Sequence, residues 1–140
     1  MTEVYVDVAA ASMEQGGEHR GGVRVAEPEA VRALRYLADS GVRVVIVAAE
    51  GARPDAELAG VAADVVTAVP PRSRGHAWYL TSEIERCRGS SAHLRTVLIG
   101  AAQPSGSVRR CDAVARDVQA AAMEILAAVA MPSSADVSGA

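Results

Sequence analysis

Asp7 is the residue best placed for chemistry. It closes the apolar run Val4-Tyr5-Val6-Asp7, and an acid at the C-terminal end of a first parallel strand lies where open α/β sheets bind ligands, in the crevice beyond the strand tips. A carboxylate there can attack phosphorus or bind a cation. Either task needs neighbours: a second acid to move the proton, and cations to neutralise an anionic substrate. The residues that follow are Ala9, Ala10, Ala11 and Ser12, and the chain contains no lysine. The groups left to assist are Arg72 and Arg74, in a Pro-rich stretch, and Glu83, just after a strand-like run. Each also has a structural reading: Asp7 can cap backbone amides at a strand end, and two arginines in an exposed loop can simply be solvated.

The elements that must position these residues are legible from pattern. A first strand over 3–9 leads into Met13 to Gly22, whose two Gly-Gly pairs suit a flap or hairpin. Pro28 fits the first position of a helix that carries Val31, Leu34, Leu37 and Ala38 on one face and Arg32, Arg35 and Asp39 on the other. Gly41 stops it. The β-branched run over 42–47 then reads as a strand buried on both faces, which completes a βαβ unit with a right-handed crossover. Further along, the pattern predicts a short helix over 54–61, strands over 64–69, 76–81 and 94–99, and a helix over 82–89 with Ser82 as N-cap. The stripe Val114, Val118, Ala121, Ala122, Ile125, Leu126 and Val129 predicts a last amphipathic helix. Residues 111–115 suit either its start or a short edge strand.

The chain has 140 residues, enough for one well-cored domain over 1–131, followed by a small polar tail over 132–140 that is expected to be disordered. Its apolar half is mostly alanine and valine, with no phenylalanine, so helices and sheet should pack closely. A net charge of -3 gives no basis for holding a nucleic-acid backbone. No apolar run reaches the roughly 20 residues that cross a bilayer, and Glu3 and Asp7 are unlike a signal peptide, so no membrane association and a cytoplasmic location are expected. Cys87 and Cys111 lack metal-type spacing and are read as buried or free thiols. His19, His76 and His93 are scattered, each reading as a surface or core histidine.

The order of these elements resembles the haloacid dehalogenase-like hydrolase superfamily, in a small form with no cap domain. The resemblance covers nearly the whole ordered chain. It rests on the acid-tipped first strand, the Gly-rich flap, the stretch from Glu27-Pro28-Glu29-Ala30-Val31 through Leu37 and Gly41, the run His93-Leu94-Arg95-Thr96-Val97-Leu98-Ile99-Gly100, and the ending Cys111-Asp112-Ala113-Val114-Ala115. It implies an α/β fold, a three-layer Rossmann-like parallel sheet of order 3-2-1-4-5. It also implies a chemistry: an aspartate nucleophile, a second acid two residues on, a hydroxyl after the second strand, a cation near the third, and a magnesium ion held partly by acids after the fourth.

Carried over residue by residue, Asp7 matches the nucleophile and a metal ligand, but Ala9 stands where the general acid belongs. Ala48 or Ala49 replaces the hydroxyl. Arg72 or Arg74 supplies the phosphate-binding cation, and Glu83 is the one further candidate for the metal. A missing general acid alone removes about 10²–10⁴-fold in rate. The expectation is therefore a non-catalytic member, a pseudophosphatase acting in binding or assembly, with no cofactor. The alternative is a slow magnesium-dependent phosphomonoester hydrolase using Asp7, and between them lies a phosphate-type small ligand bound without turnover.

One expectation follows from strand order. The link from the third strand to the fourth must cross the sheet's middle, and residues 70–76 span that distance only when nearly extended. No helix fits there. A sheet face left bare in this way, or the stripe of the last helix, would favour a homodimer.

Overall fold

A computed structural model describes residues 2–14, 24–49, 54–69, 76–83, 86, 94–100 and 111–130. The main sheet is six-stranded and wholly parallel, built from β1 (Glu3–Asp7), β4 (Arg43–Val47), β5 (Asp64–Val66), β6 (Ala77–Thr81), β7 (Leu94–Ile99) and β8 (Ala113–Ala115). Their order across the sheet is β5-β4-β1-β6-β7-β8, and β2 (Ser12–Glu14) and β3 (Arg24–Ala26) form a separate hairpin. β1 lies centrally between β4 and β6, as its apolar run requires: Val4 and Val6 are fully buried. The expected order is found, with β8 added at the edge in the stretch whose pattern left helix and strand open.

The first strand is shorter than its pattern suggests. After Asp7 the chain enters a 3₁₀ turn, Val8–Ala11, whose Ala10 and Ala11 are buried. The Ser12 hydroxyl donates to the Val8 carbonyl at 2.6 Å and closes the turn. β2 (Ser12–Glu14) then pairs antiparallel with β3 (Arg24–Ala26), as a flap hairpin would. The glycine pairs of the flap lie outside the described residues. The third predicted strand is shorter too, since β5 holds its ladder with β4 only from Asp64 to Val66.

Helices α1 (Pro28–Asp39), α2 (Ala56–Val61) and α3 (Val118–Ala130) all pack on one face of the sheet. There Leu34, Leu37, Leu58 and Ile125 meet Val4, Val6, Val44, Ile46, Leu80 and Val97. Pro28 occupies the first turn of α1, and Gly41, at φ 93°, takes the left-handed conformation that lets the chain leave the helix for β4. The Glu27 amide donates to the Ala11 carbonyl at 2.9 Å, tying the start of α1 to the 3₁₀ turn beside Asp7. In the last helix Val118, Ala121, Ala122 and Ile125 form the buried stripe. Val114 belongs instead to β8, and Val129 is exposed.

The opposite face departs from expectation. Tyr5, Val45, Val47, Ala77 and Tyr79 point there and all are buried, with Val66, Val69 and Leu94 packed against them. This face is therefore not bare within a single chain. The second helical layer of a three-layer fold would draw on residues 82–89, most of which lie outside the described residues. Cys111 also corrects an expectation, because it is buried and disulfide-bonded instead of being a free thiol. Cys87, the chain's other cysteine, is outside the described residues. No helix among the described residues is long and apolar enough to cross a membrane.

Candidate functional site

The site is set by register between neighbouring strands. β1 and β6 run parallel with Tyr5 opposite Tyr79 and Val6 opposite Leu80, so one further step brings Asp7 beside Thr81. Side chains alternate along each strand. Asp7, Tyr79 and Thr81 therefore share the face turned away from the three described helices.

There the Asp7 carboxylate is buried and fully engaged. The Tyr79 hydroxyl lies 2.9 Å from both Oδ1 and Oδ2 and donates between them. Thr81 Oγ1 donates to Oδ2 at 2.6 Å, and the Arg86 guanidinium reaches Oδ1 at 3.3 Å through one terminal nitrogen. The other edge of Arg86 is taken by Glu83, whose Oε2 accepts from Nε at 2.8 Å. Thr81 also accepts from the Glu83 amide at 3.2 Å; most of the helix that Ser82 was expected to cap lies outside the described residues. Asp7 itself makes no side-chain cap to the turn that follows it, so among the described residues its bonds go to side chains and not to backbone amides.

Burial raises the Asp7 pKa above its ordinary value, and the donors Thr81, Tyr79 and Arg86 oppose that rise without cancelling it. Tyr79 is pushed up to about 12, first by burial and then by the adjoining Asp7 carboxylate, with Arg86 working the other way. Arg86 is held in its charged form by the Tyr79 hydroxyl and by Asp7. The three side chains thus hold one another in a single arrangement of charge.

A cavity of about 320 Å³ opens beside this network. Val47, Ala68, Val69 and Leu94 form apolar walls, and Thr67, Tyr79 and Arg86 supply the polar part. Asp7 is not among the described residues that line it. Tyr79 and Arg86 both bond the carboxylate and line the cavity.

Glu83 is brought to Asp7 only through Arg86, which both carboxylates share. Ala9 sits in the 3₁₀ turn, Ala48 is buried after β4 and Ala49 is exposed, so no hydroxyl stands at that strand end. Arg72 and Arg74 lie outside the described residues. Magnesium, which the resemblance implies, needs near-octahedral oxygen ligation. Among the described residues no group of three or more His, Cys, Asp or Glu side chains gathers to hold a metal ion, and the two candidate carboxylates are already joined by a guanidinium. The described residues do not fit such a centre.

Tyr79, Thr81 and Arg86 were missed as site residues. A signal existed for the first two: in Ala77-Trp78-Tyr79-Leu80-Thr81 both hydroxyls fall on one face of a strand, the arrangement that serves an acid on a neighbouring strand. For Arg86 the signal was its place three residues after Glu83. Compared with protein-family models and with curated proteins, the chain matches none.

Proposed function

We propose that the chain is a non-catalytic haloacid dehalogenase-like domain, a pseudophosphatase whose Asp7 organises a binding site instead of attacking phosphorus. The observation that carries this reading is the saturation of Asp7, whose two oxygens accept from Tyr79, Thr81 and Arg86. A nucleophile must present a lone pair to its target. Freeing Asp7 means breaking bonds to a charged acceptor, each worth about 1.5–3 kcal/mol. Ala9 offers no acid to protonate a leaving oxygen. What the carboxylate does do is fix Tyr79 and Arg86 at the wall of the cavity, which is the task of a positioning group in a binding site.

A screen of the purified chain with magnesium over a broad panel of phosphomonoesters tests this. No turnover above background is expected. Turnover that requires magnesium and is abolished by Asp7→Asn would establish the hydrolase alternative, with Arg72 or Arg74 as the phosphate-binding cation.

Self-association is part of the same proposal, and the exposed side of α3 supports it. Val118, Ala121, Ala122 and Ile125 of the stripe first considered are buried in the chain's own core, but its Val129 is 44% exposed and Met123 is 65% exposed on a helix that is apolar nearly all round. Sedimentation showing only monomer at high micromolar concentration would remove this part. A cytoplasmic setting belongs to the reading as well, and there the Cys111 disulfide would face reducing thiols, which keep most cytosolic cysteines reduced. Retention of that disulfide in protein isolated with thiols blocked at lysis would point to an oxidising compartment.

A further inference from the structure

We infer that the cavity beside Arg86 binds a small apolar monocarboxylate, and that Glu83 is the chain's own competitor for the position its carboxylate takes. This rests on the binding reading above and names the class of ligand. The size of the cavity, about 320 Å³, lies at the lower end of ligand pockets. Its walls of Val47, Ala68, Val69 and Leu94 suit an alkyl or aryl body, and Thr67, Tyr79 and Arg86 gather the polar contacts.

Arg86 selects the head group. One terminal nitrogen is fixed on buried Asp7, so the guanidinium is already oriented, while its Nε edge faces Glu83. That second pair is about half exposed on both sides, at 46% and 53%, and ion pairs so exposed hold their partners only weakly. A ligand carboxylate on the same edge replaces Glu83 at small cost and gains the burial of its apolar body. Charge favours a monoanion. One cation already faces two carboxylates, so a monocarboxylate that displaces Glu83 leaves the local balance unchanged, whereas a phosphate monoester brings a further negative charge next to Asp7.

The test is calorimetric titration of the full chain with benzoate and hexanoate, beside benzyl alcohol, hexanol and phenyl phosphate as controls. The carboxylates should bind at least about tenfold more tightly than the alcohols and than phenyl phosphate, a difference of roughly 1.4 kcal/mol. Glu83→Gln should tighten carboxylate binding by up to about fivefold, matching the loss of a weak competitor. Arg86→Gln should weaken it at least tenfold. Should Arg86→Gln fail to fold, Ala68→Phe, which fills the cavity away from Asp7, should abolish binding in a folded chain.

Alcohols that bind as tightly as the carboxylates, Glu83→Gln that binds more weakly, or no binding by any probe would overturn the inference. The two readings fail separately. Asp7-dependent phosphatase turnover would sink the non-catalytic reading while a carboxylate result stood, and absent turnover with absent binding would sink only the ligand.

Discussion

Thr81 Oγ1 lies 2.6 Å from Asp7 Oδ2, the shortest of the bonds that hold the buried carboxylate. That length is typical of a hydroxyl donating to an ionised acceptor. Thr96, one strand further on, is equally buried, and its hydroxyl has no hydrogen-bond partner among the described residues. The two threonines should respond oppositely to the same isosteric change. Thr81→Val removes a bond to a charged group and should cost about 1.5–3 kcal/mol. Thr96→Val replaces an unsatisfied hydroxyl by a methyl and should leave stability unchanged or raise it. Urea denaturation of both variants checks this, and equal losses would show that the two hydroxyls do not differ as described.

Acid should favour the parent over Asp7→Asn. Burial raises the folded-state pKa of Asp7 above 3.8, so between that value and the raised one the folded chain binds a proton that the unfolded chain has released. Stability from this group therefore falls as pH rises through the window and is recovered as pH falls. The asparagine variant cannot titrate there. The difference in unfolding free energy between the two proteins should shift toward the parent on acidification, and a difference that is flat or shifts the other way would contradict the assignment.

Tyr79 should be the last tyrosine held back by its surroundings. With its pKa pushed up from 10.0 to about 12, its stabilising contribution is complete below 10.0 and is lost as pH rises toward 12. Tyrosinate absorbance followed through an alkaline titration should show a late step that disappears in Tyr79→Phe. A titration whose late step survives the substitution would place the burdened hydroxyl elsewhere.

The central βαβ unit was open to reading because its signals are local. A β-branched run, a proline at a helix start and a glycine with positive φ each act within a few residues, and β1, α1 and β4 follow from them. Asp7 at the strand tip was legible for the same reason. Its partners were not, because Tyr79 is 72 residues away in sequence and meets Asp7 only through the pairing of β1 with β6. Register is a property of two strands, and neither strand states it alone. β8 escaped firm assignment because three residues carry no period. The expected bare face failed because it was inferred from a missing helix, while burial of Tyr5, Val45 and Tyr79 is decided by everything that packs there.

Restoring the general acid should not restore catalysis. Ala9→Asp would place a carboxyl two residues after Asp7, and in a site lacking only its proton donor that change should raise phosphatase activity well above the parent. Here the obstacle lies at the other end of the reaction. Asp7 remains hydrogen-bonded to Tyr79, Thr81 and Arg86, no hydroxyl follows β4, and the guanidinium that joins Asp7 to Glu83 occupies both candidate metal ligands. The added carboxylate would also bring another negative charge toward a region where two acids already share one cation. Ala9→Asp should therefore show no magnesium-dependent turnover, measured on the same phosphomonoester panel as the parent. The triple change Ala9→Asp, Thr81→Val, Arg86→Ala strips away two of the three donors and is the variant most able to expose the carboxylate. Activity in Ala9→Asp alone would mean that the bonds around Asp7 open readily in solution, and the saturation of its oxygens would then no longer account for an inert site.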